Sequence, residues 1–166
     1  MAGRTIDSIE REIPRLRRFA RCLVRDANLA DDMVQQCLLR ALDQFHTWPS
    51  GAHLRASLLA ILHHCHGAAA HRAAPLPVNH VQPGGAFDGR AVPVTHAAIR
   101  EAFMGLQEED REILLLVVVE ELDYGQAADI LGIPVATVGA RLARAREALR
   151  GASGLRPIPP LAQSAG

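Results

Sequence analysis

Apolar residues recur every three or four positions along most of the chain, which is the spacing of one face of an α-helix. In the first part of the sequence this pattern predicts three amphipathic helices, separated by a break at residues 26–28 and by a loop at residues 47–51. The predicted helices cover residues 6–25, 29–45 and 54–71. Residues 1–73 are therefore predicted to form one helical domain.

Proline and glycine replace the periodic pattern over residues 74–95, so this stretch is predicted to be a flexible linker. The pattern then returns, and the predicted helices cover residues 97–106, 109–121, 124–131 and 135–149. The three consecutive valines at 117–119 could form a strand by propensity, but the charged residues at both ends favour a helix. Residues 152–166 contain three prolines and are predicted to be a disordered tail.

The last two predicted helices have the pattern of a helix-turn-helix. Ala127 and Ala128 are small enough for a close helix crossing, and Gly132 can take the positive φ that the turn requires. The sequence thus predicts an all-α protein, with two small helical domains joined by a flexible linker. The C-terminal domain, residues 96–151, is the helix-turn-helix domain.

Composition agrees with a globular protein, since 49% of the 166 residues are hydrophobic and 22% are charged. The longest apolar run, residues 113–119, is far shorter than the ~20 residues that span a bilayer. The N-terminus has no apolar segment typical of a secretory signal, so a cytoplasmic protein is expected. The three cysteines, Cys22, Cys37 and Cys65, are expected to be reduced and buried.

The formal net charge is zero, but the charge is unevenly distributed, and all 18 basic residues are arginine. Five arginines lie between residues 141 and 156, with Glu147 the only acid among them. On the second helix of the helix-turn-helix, Thr137, Arg141 and Arg144 lie opposite the apolar face. These side chains can bind bases or phosphates, although a solvated helix surface is the plainer alternative.

A cluster of histidines beside Cys65 raises the question of a metal site. Its members are His63, His64, Cys65, His66 and His71. One helical segment rarely completes a tetrahedral zinc site, so no metal is predicted. Histidines titrate near neutral pH, but their spacing alone gives no reason to assign a sensing role. The sequence contains no arrangement that indicates catalysis, and neither an enzyme nor a cofactor is predicted.

At the C-terminal end, the residues resemble a known family. Residues 106–150 read LQEEDREILLLVVVEELDYGQAADILGIPVATVGARLARAREALR and resemble the minus-thirty-five-binding domain of bacterial extracytoplasmic-function (ECF) sigma factors of the sigma-70 family. The family pattern there is E-I-A-x-x-L-G-I-P-x-G-T-V-K-S-R-L-x-R-A-R. Residues 26–41 resemble the family's D-x-x-x-A-E-D-L-V-Q-E-T-F-L-R-A, and residues 54–72 resemble its minus-ten-melting segment.

The resemblance implies a promoter-specificity subunit of RNA polymerase. By position, the implied promoter DNA contacts are Thr137, Ala140, Arg141, Arg144, Trp48 and His64. The implied contacts with core RNA polymerase, chiefly its β′ subunit, are Asp31, Asp32, Gln35, Gln36 and Leu39. Further implied partners are the polymerase β subunit and an anti-sigma factor, and no membrane is involved.

The sequence departs from the family pattern at several DNA-contacting positions. Ser57 replaces a tryptophan, the His63-His64 pair replaces Arg-Asn, and Gly139-Ala140 replaces Lys-Ser, which predicts weak or altered promoter affinity. These departures keep an alternative open, namely a sigma-like module that binds an anti-sigma factor without productive promoter binding. A third alternative is an ordinary dimeric helix-turn-helix repressor that acts without polymerase.

Overall fold

The computed structural model describes residues 2–44, 54–72 and 95–153. Within these ranges it contains seven α-helices and one π-helical segment, and no strand. The helices are α1 (Ala2–Leu23), α2 (Ala27–Gln44), α3 (Leu54–Arg72), α4 (His96–Gly105), α5 (Glu108–Leu114), the π-segment (Leu115–Val119), α6 (Tyr124–Leu131) and α7 (Val135–Ser153). The all-α prediction is confirmed.

Several predicted features fall on the rest of the chain. The predicted linker lies outside the described residues except for Thr95, whose side chain caps α4 by accepting a hydrogen bond from Ala98 N–H. The predicted tail lies outside them from residue 154 onward, because α7 runs to Ser153. Trp48 also lies outside them.

Helices α1 to α3 pack into the N-terminal half. Asp26 caps α2, since its carboxylate accepts hydrogen bonds from the N–H groups of Asn28 (2.8 Å) and Leu29 (3.1 Å). All four residues predicted to face inward on the third helix are buried, namely Leu58, Ile61, Leu62 and Cys65. Two of the residues predicted on the apolar faces of the other helices are instead exposed, Ile6 by 39% and Leu42 by 41%.

The predicted helix over residues 109–121 is correct only in its first part. After Leu114 the backbone widens into the π-segment, in which Glu120 N–H bonds to Leu115 O at 2.9 Å. The segment ends where Glu121 takes the left-handed conformation, with φ 56°. Val118 and Val119 are about half exposed, which is why the valine triplet does not behave as a core element.

The helix-turn-helix has the local structure that its sequence predicts. Asp123 and Gln126 form a reciprocal capping box at the start of α6, which satisfies two backbone donors. Gly132 ends the helix with φ 63°, and Ala127 and Ala128 are both buried. The turn therefore sets α7 against α6 as predicted.

The two halves also pack on each other. Helix α3 lies against α6, and α1 contacts both α5 and the π-segment. Buried apolar residues of the two halves join into one contiguous cluster.

All three cysteines are free thiols. Cys37 and Cys65 are buried, and burial, together with the neighbouring Cys65, raises the pKa of Cys37 to about 12. Cys22 is only half-buried, which corrects the expectation for that residue.

Candidate DNA and polymerase interfaces

The face of α7 predicted to read DNA is open to solvent. Thr137, Ala140, Arg141 and Arg144 lie three or four residues apart and so share one side of the helix. Ala140 and Arg144 are exposed, and Thr137 and Arg141 are half-buried. The apolar residues on the other side are buried against the rest of the C-terminal half, so the predicted face belongs to the part of α7 that solvent reaches.

Arg144 is already engaged within the protein. Its Nη2 lies 2.5 Å from Asp110 Oδ1 and its Nε lies 3.3 Å from Asp110 Oδ2, a two-pronged pair between α7 and α5. The hydrogen bond to Asp110 and its charge raise the pKa of Arg144. Asp110 is 4% exposed, so the pair positions α7 on α5 and satisfies a buried carboxylate.

Tyr124 was missed by the sequence analysis. A Cβ atom added at Gly139 would lie 3.7 Å from Tyr124 Cε2, so the ring covers the first half of α7 at that position. The side chain is 42% exposed. Tyr124 is the first residue of α6, directly after the capping Asp123. This position in the sequence could have indicated that its ring lies near the start of α7.

The residues predicted to contact polymerase divide into two groups on α2. Asp32, Gln35 and Leu39 are exposed, and their spacing places them on one side of the helix. Leu39 is 65% exposed, the largest value among the exposed large apolar residues of the described ranges. Asp31 is half-buried and pairs with Arg21 at 3.3 Å, and Gln36 is half-buried. The outward surface of α2 therefore combines polar groups with one exposed leucine.

The histidines of α3 face two different environments. His64 is exposed, whereas His63 and His66 are partly buried against α5. His63 Nδ1 lies 2.7 Å from Glu112 Oε1, and His66 Nε2 lies 2.6 Å from Glu108 Oε1. Within the described ranges no three His, Cys, Asp or Glu side chains are grouped so that they could hold a metal ion.

A buried arginine joins the two halves. The Arg111 guanidinium donates through Nε (3.2 Å) and Nη2 (2.9 Å) to the carbonyl of Leu23, the last residue of α1. Its Nη1 donates to the carbonyls of Met104 (3.0 Å) and Leu106 (2.8 Å) at the end of α4. A positive charge at a helix C-terminus is favourable, and Arg111 serves two helices at once.

Charged groups also line the other end of the junction. Glu120 is 4% exposed, and its Oε2 lies 3.3 Å from Arg15 Nε on α1. Burial raises the pKa of Glu120, against the opposing effect of Arg15 and Arg55. A cleft of about 420 Å³ opens here between the two halves, with Glu12 and Arg55 on one wall and Glu120 on the other.

Residue spacing does not predict this junction, because its partners are far apart in the chain. Arg111 and Leu23 are separated by 88 residues, and His63 and Glu112 by 49. An uneven distribution of charge along the chain does not show which charged groups will meet. No helix in the described part of the chain is long and apolar enough to cross a membrane.

Comparison with known proteins supports both halves separately. Residues 9–63 match the family described as the Sigma2 domain of PhyR, and residues 96–149 match the family Sigma-70, region 4. The ECF RNA polymerase sigma factor EcfG of Rhodopseudomonas palustris is 31% identical over 147 residues, covering 86% of this chain and 81% of the relative. SigC of Mycobacterium tuberculosis, also an ECF sigma factor, is 33% identical over 135 residues, covering 75% of this chain and 70% of the relative.

A solved structure has the same fold over nearly the whole chain. It is the sigma factor RpoE of Bartonella quintana in complex with the anti-sigma factor NepR, with a TM-score of 0.73 at 23% identity. The match covers 92% of this chain and 98% of that one. The PhyRSL–NepR complex of Sphingomonas sp. Fr1 has a TM-score of 0.66 at 20% identity, and the match covers 92% of each chain.

The capped helix, the glycine turn and the arginine-bearing α7 define a helix-turn-helix protein of the DNA-binding class. The full-length similarity goes further, and the chain belongs to the ECF RNA polymerase sigma factors. It is a promoter-directing subunit, and sigma factors generally bind core RNA polymerase and promoter DNA.

Proposed function

We propose that α7 enters the major groove of the minus-thirty-five element with Thr137, Ala140, Arg141 and Arg144 toward the DNA. The observation that carries this proposal is the open face of α7, held by α6 in helix-turn-helix geometry. Within the described residues Arg141 forms no ion pair with a carboxylate, whereas Arg144 pairs with Asp110. Arg141 is therefore the residue on which base or phosphate recognition depends most.

The outward surface of α2 binds the β′ subunit of core polymerase in this proposal. Exposed Leu39 supplies an apolar contact, and Asp32 and Gln35 supply polar groups for basic or amide partners. Asp31 supports the surface through its pair with Arg21. The C-terminal half contacts the β subunit, as the family resemblance implies.

Helix α3 and the residues that precede it in the sequence, including Trp48, contact the minus-ten element. His64 is exposed on α3 and available to DNA, whereas His63 and Ser57 are partly buried. Because the tryptophan of the family pattern is absent at Ser57, the proposal assigns base capture to Trp48. Each DNA contact can be weak, since two tethered modules act at high effective concentration.

A binding titration with duplex promoter DNA tests the α7 assignment. Arg141→Ala is expected to weaken binding by about 5- to 150-fold, the range of one lost arginine contact. Arg146→Ala removes the same charge from an exposed position on another side of α7, and it is expected to change affinity by less than about threefold. Equal losses in both variants would show general electrostatic attraction, and no loss in Arg141→Ala would contradict the groove contact.

A second candidate function is supported by one observation, namely that residues 9–63 match the Sigma2 domain of PhyR. In this alternative the chain binds an anti-sigma factor without productive promoter binding. An anti-sigma partner is also proposed for the first function, since two solved proteins of this fold were determined with NepR. Reconstituted transcription separates the two, because only a sigma factor makes core polymerase initiate at a cognate promoter.

A further inference from the structure

The packed arrangement of the two halves is too small to read both promoter elements. The minus-ten and minus-thirty-five elements lie about 25 base pairs apart, or about 85 Å of duplex at 3.4 Å per pair. A compact chain of 166 residues has a diameter of about 40 Å, from the usual scaling of the radius of gyration. The 23 residues that join α3 to α4 could extend about 75 Å, so separation of the halves is sterically possible.

The same packing involves a helix that the proposed function assigns to DNA. Helix α3 packs against α6, and two of its side chains reach α5, since His63 and His66 pair with Glu112 and Glu108 across the junction. Arg111 adds four hydrogen bonds, two of them across the junction to α1, and Arg25 donates to Met104 O at 2.6 Å. Besides the apolar contacts, charged and titratable side chains join the halves, and the His66–Glu108 pair is only partly buried, so solution conditions can change it.

We propose that the free protein inhibits itself through this junction, and that the two His–Glu pairs form a latch, of which the His66–Glu108 pair is lost as the pH rises. The latch consists of His63, His66, Glu108 and Glu112. The proposal rests on the proposed function, because self-inhibition has meaning only for a chain that must place both halves on one promoter.

The direction of the pH effect follows from the groups at the latch. Burial lowers the pKa of His66, but the hydrogen bond to Glu108 and the charges of Glu108 and Glu112 outweigh it, so the pKa is raised. The contribution of His66 to closure is therefore complete below its ordinary pKa of 6.5 and is lost as the pH rises through the raised value. Arg111 lies close enough to oppose this shift.

The glutamate side of the latch sets the acidic limit. The hydrogen bond from His66 lowers the pKa of Glu108, so its contribution is complete above its ordinary pKa of 4.5 and is lost as the pH falls. At the other end of the junction, burial raises the pKa of Glu120 despite the nearby Arg15, Arg18 and Arg55, with a smaller contribution from Glu12 in the same direction as burial, so Glu120 also favours closure at lower pH. The closed form is thus strongest between about pH 4.5 and 6.5.

Energy transfer between two dyes tests whether the latch opens. The dyes are attached to the cysteines of Arg17→Cys on α1 and Ala148→Cys on α7, and both positions are exposed. The chain also carries Cys22→Ala, so that its remaining natural thiols, Cys37 and Cys65, are buried. From pH 6 to 8.5 the closed-to-open ratio is expected to fall severalfold, because the His66 pKa is raised in the closed form. His63→Gln with His66→Gln is expected to be more open at pH 6 and to have a flat profile. His96→Gln, an exposed histidine outside the junction, should follow the parent chain.

The result that would overturn the latch is the same pH profile in the parent chain and the double variant. A far-UV circular dichroism spectrum of the double variant shows whether it is folded, since a folded chain with separated halves retains its helices and an unfolded chain does not.

Transcription with core polymerase tests self-inhibition separately. At pH 6.5 the double variant is expected to reach half-maximal initiation at a several-fold lower concentration than the parent chain, and the difference should vanish at pH 8.5. Equal concentrations at both pH values, in a variant that energy transfer shows to be open, would overturn self-inhibition. Initiation by neither protein would overturn the proposed function and with it the inhibitory meaning of the latch, while the energy-transfer result still decides the latch itself.

Discussion

The interiors of the two halves and the junction between them are built from different chemistry. The interiors are apolar, as Leu62 in α3 and Leu142 in α7 illustrate with 1% exposure or less. The junction buries Arg111, Glu112 and Glu120, each at 7% exposure or less, beside its apolar contacts. The free energy of apolar burial depends little on pH or on the relative orientation of the side chains. A charged pair needs a defined geometry, because its attraction must compensate the cost of removing both charges from water. Each half should therefore stay folded under conditions that break the contact between the halves.

The largest expected effect comes from the interior of the N-terminal half. Leu62→Ala removes a fully buried side chain and leaves a cavity, so it should lower the free energy of unfolding by about 3–5 kcal/mol. Chemical denaturation followed by circular dichroism measures the change. Leu39→Ala is the matched control, and because Leu39 is largely exposed its effect should stay below about 0.5 kcal/mol. Similar losses in both variants would contradict the assignment of the core.

The next effect comes from the junction. Arg111→Met leaves the carbonyls of Leu23 and Leu106 without this side-chain donor and leaves Met104 O with Arg25 alone, which should cost about 2–3 kcal/mol. Unlike the core variant, it should expand the chain while both halves keep their helices. Small-angle scattering together with circular dichroism distinguishes these outcomes.

Arg25→Met is the control for the junction, because it removes a single hydrogen bond from an exposed guanidinium. Its effect should be below about 1 kcal/mol. If Arg111→Met leaves the radius of gyration unchanged, the difference between junction and interior does not hold.

The smallest effect concerns the turn that orients α7. Gly132→Ala forces a Cβ into the left-handed conformation at φ 63°, although the space around it is open, and should cost about 1–2 kcal/mol. Gly105→Ala is a matched change at the end of α4 without positive φ, and it should be neutral or slightly stabilising. Thermal denaturation checks both, and equal effects would show that the turn geometry is unimportant.

Local features of the fold were predictable from the sequence. The helices of the N-terminal half, the capped α6 and the glycine turn all follow from spacing and from residues close together in the chain. The face of α7 was predictable for the same reason, since Thr137, Arg141 and Arg144 are neighbours on one helix. The π-segment was not, because no spacing rule separates it from an α-helix over the apolar run at residues 113–119.

The junction and part of the candidate site depend on contacts between distant residues. The pairing of Arg144 with Asp110 crosses 34 residues, and that of His66 with Glu108 crosses 42. A periodic pattern identifies which side of a helix is polar, but not which partner a charged group will meet. The sequence therefore indicated candidate DNA-binding residues and missed Arg111, whose surroundings exist only after the two halves meet.

The position of Arg111 at the junction affects how strongly nearby backbone amides are protected from hydrogen exchange. Parting the halves takes the Arg111 guanidinium away from the end of α1 and the Arg25 guanidinium away from the end of α4, so two helix termini each lose a donor in one event. The last turn of each helix should then fray together. Amide hydrogen exchange near residues 20–24 and 102–106 would speed up in step, and these two distant stretches would report a single opening event.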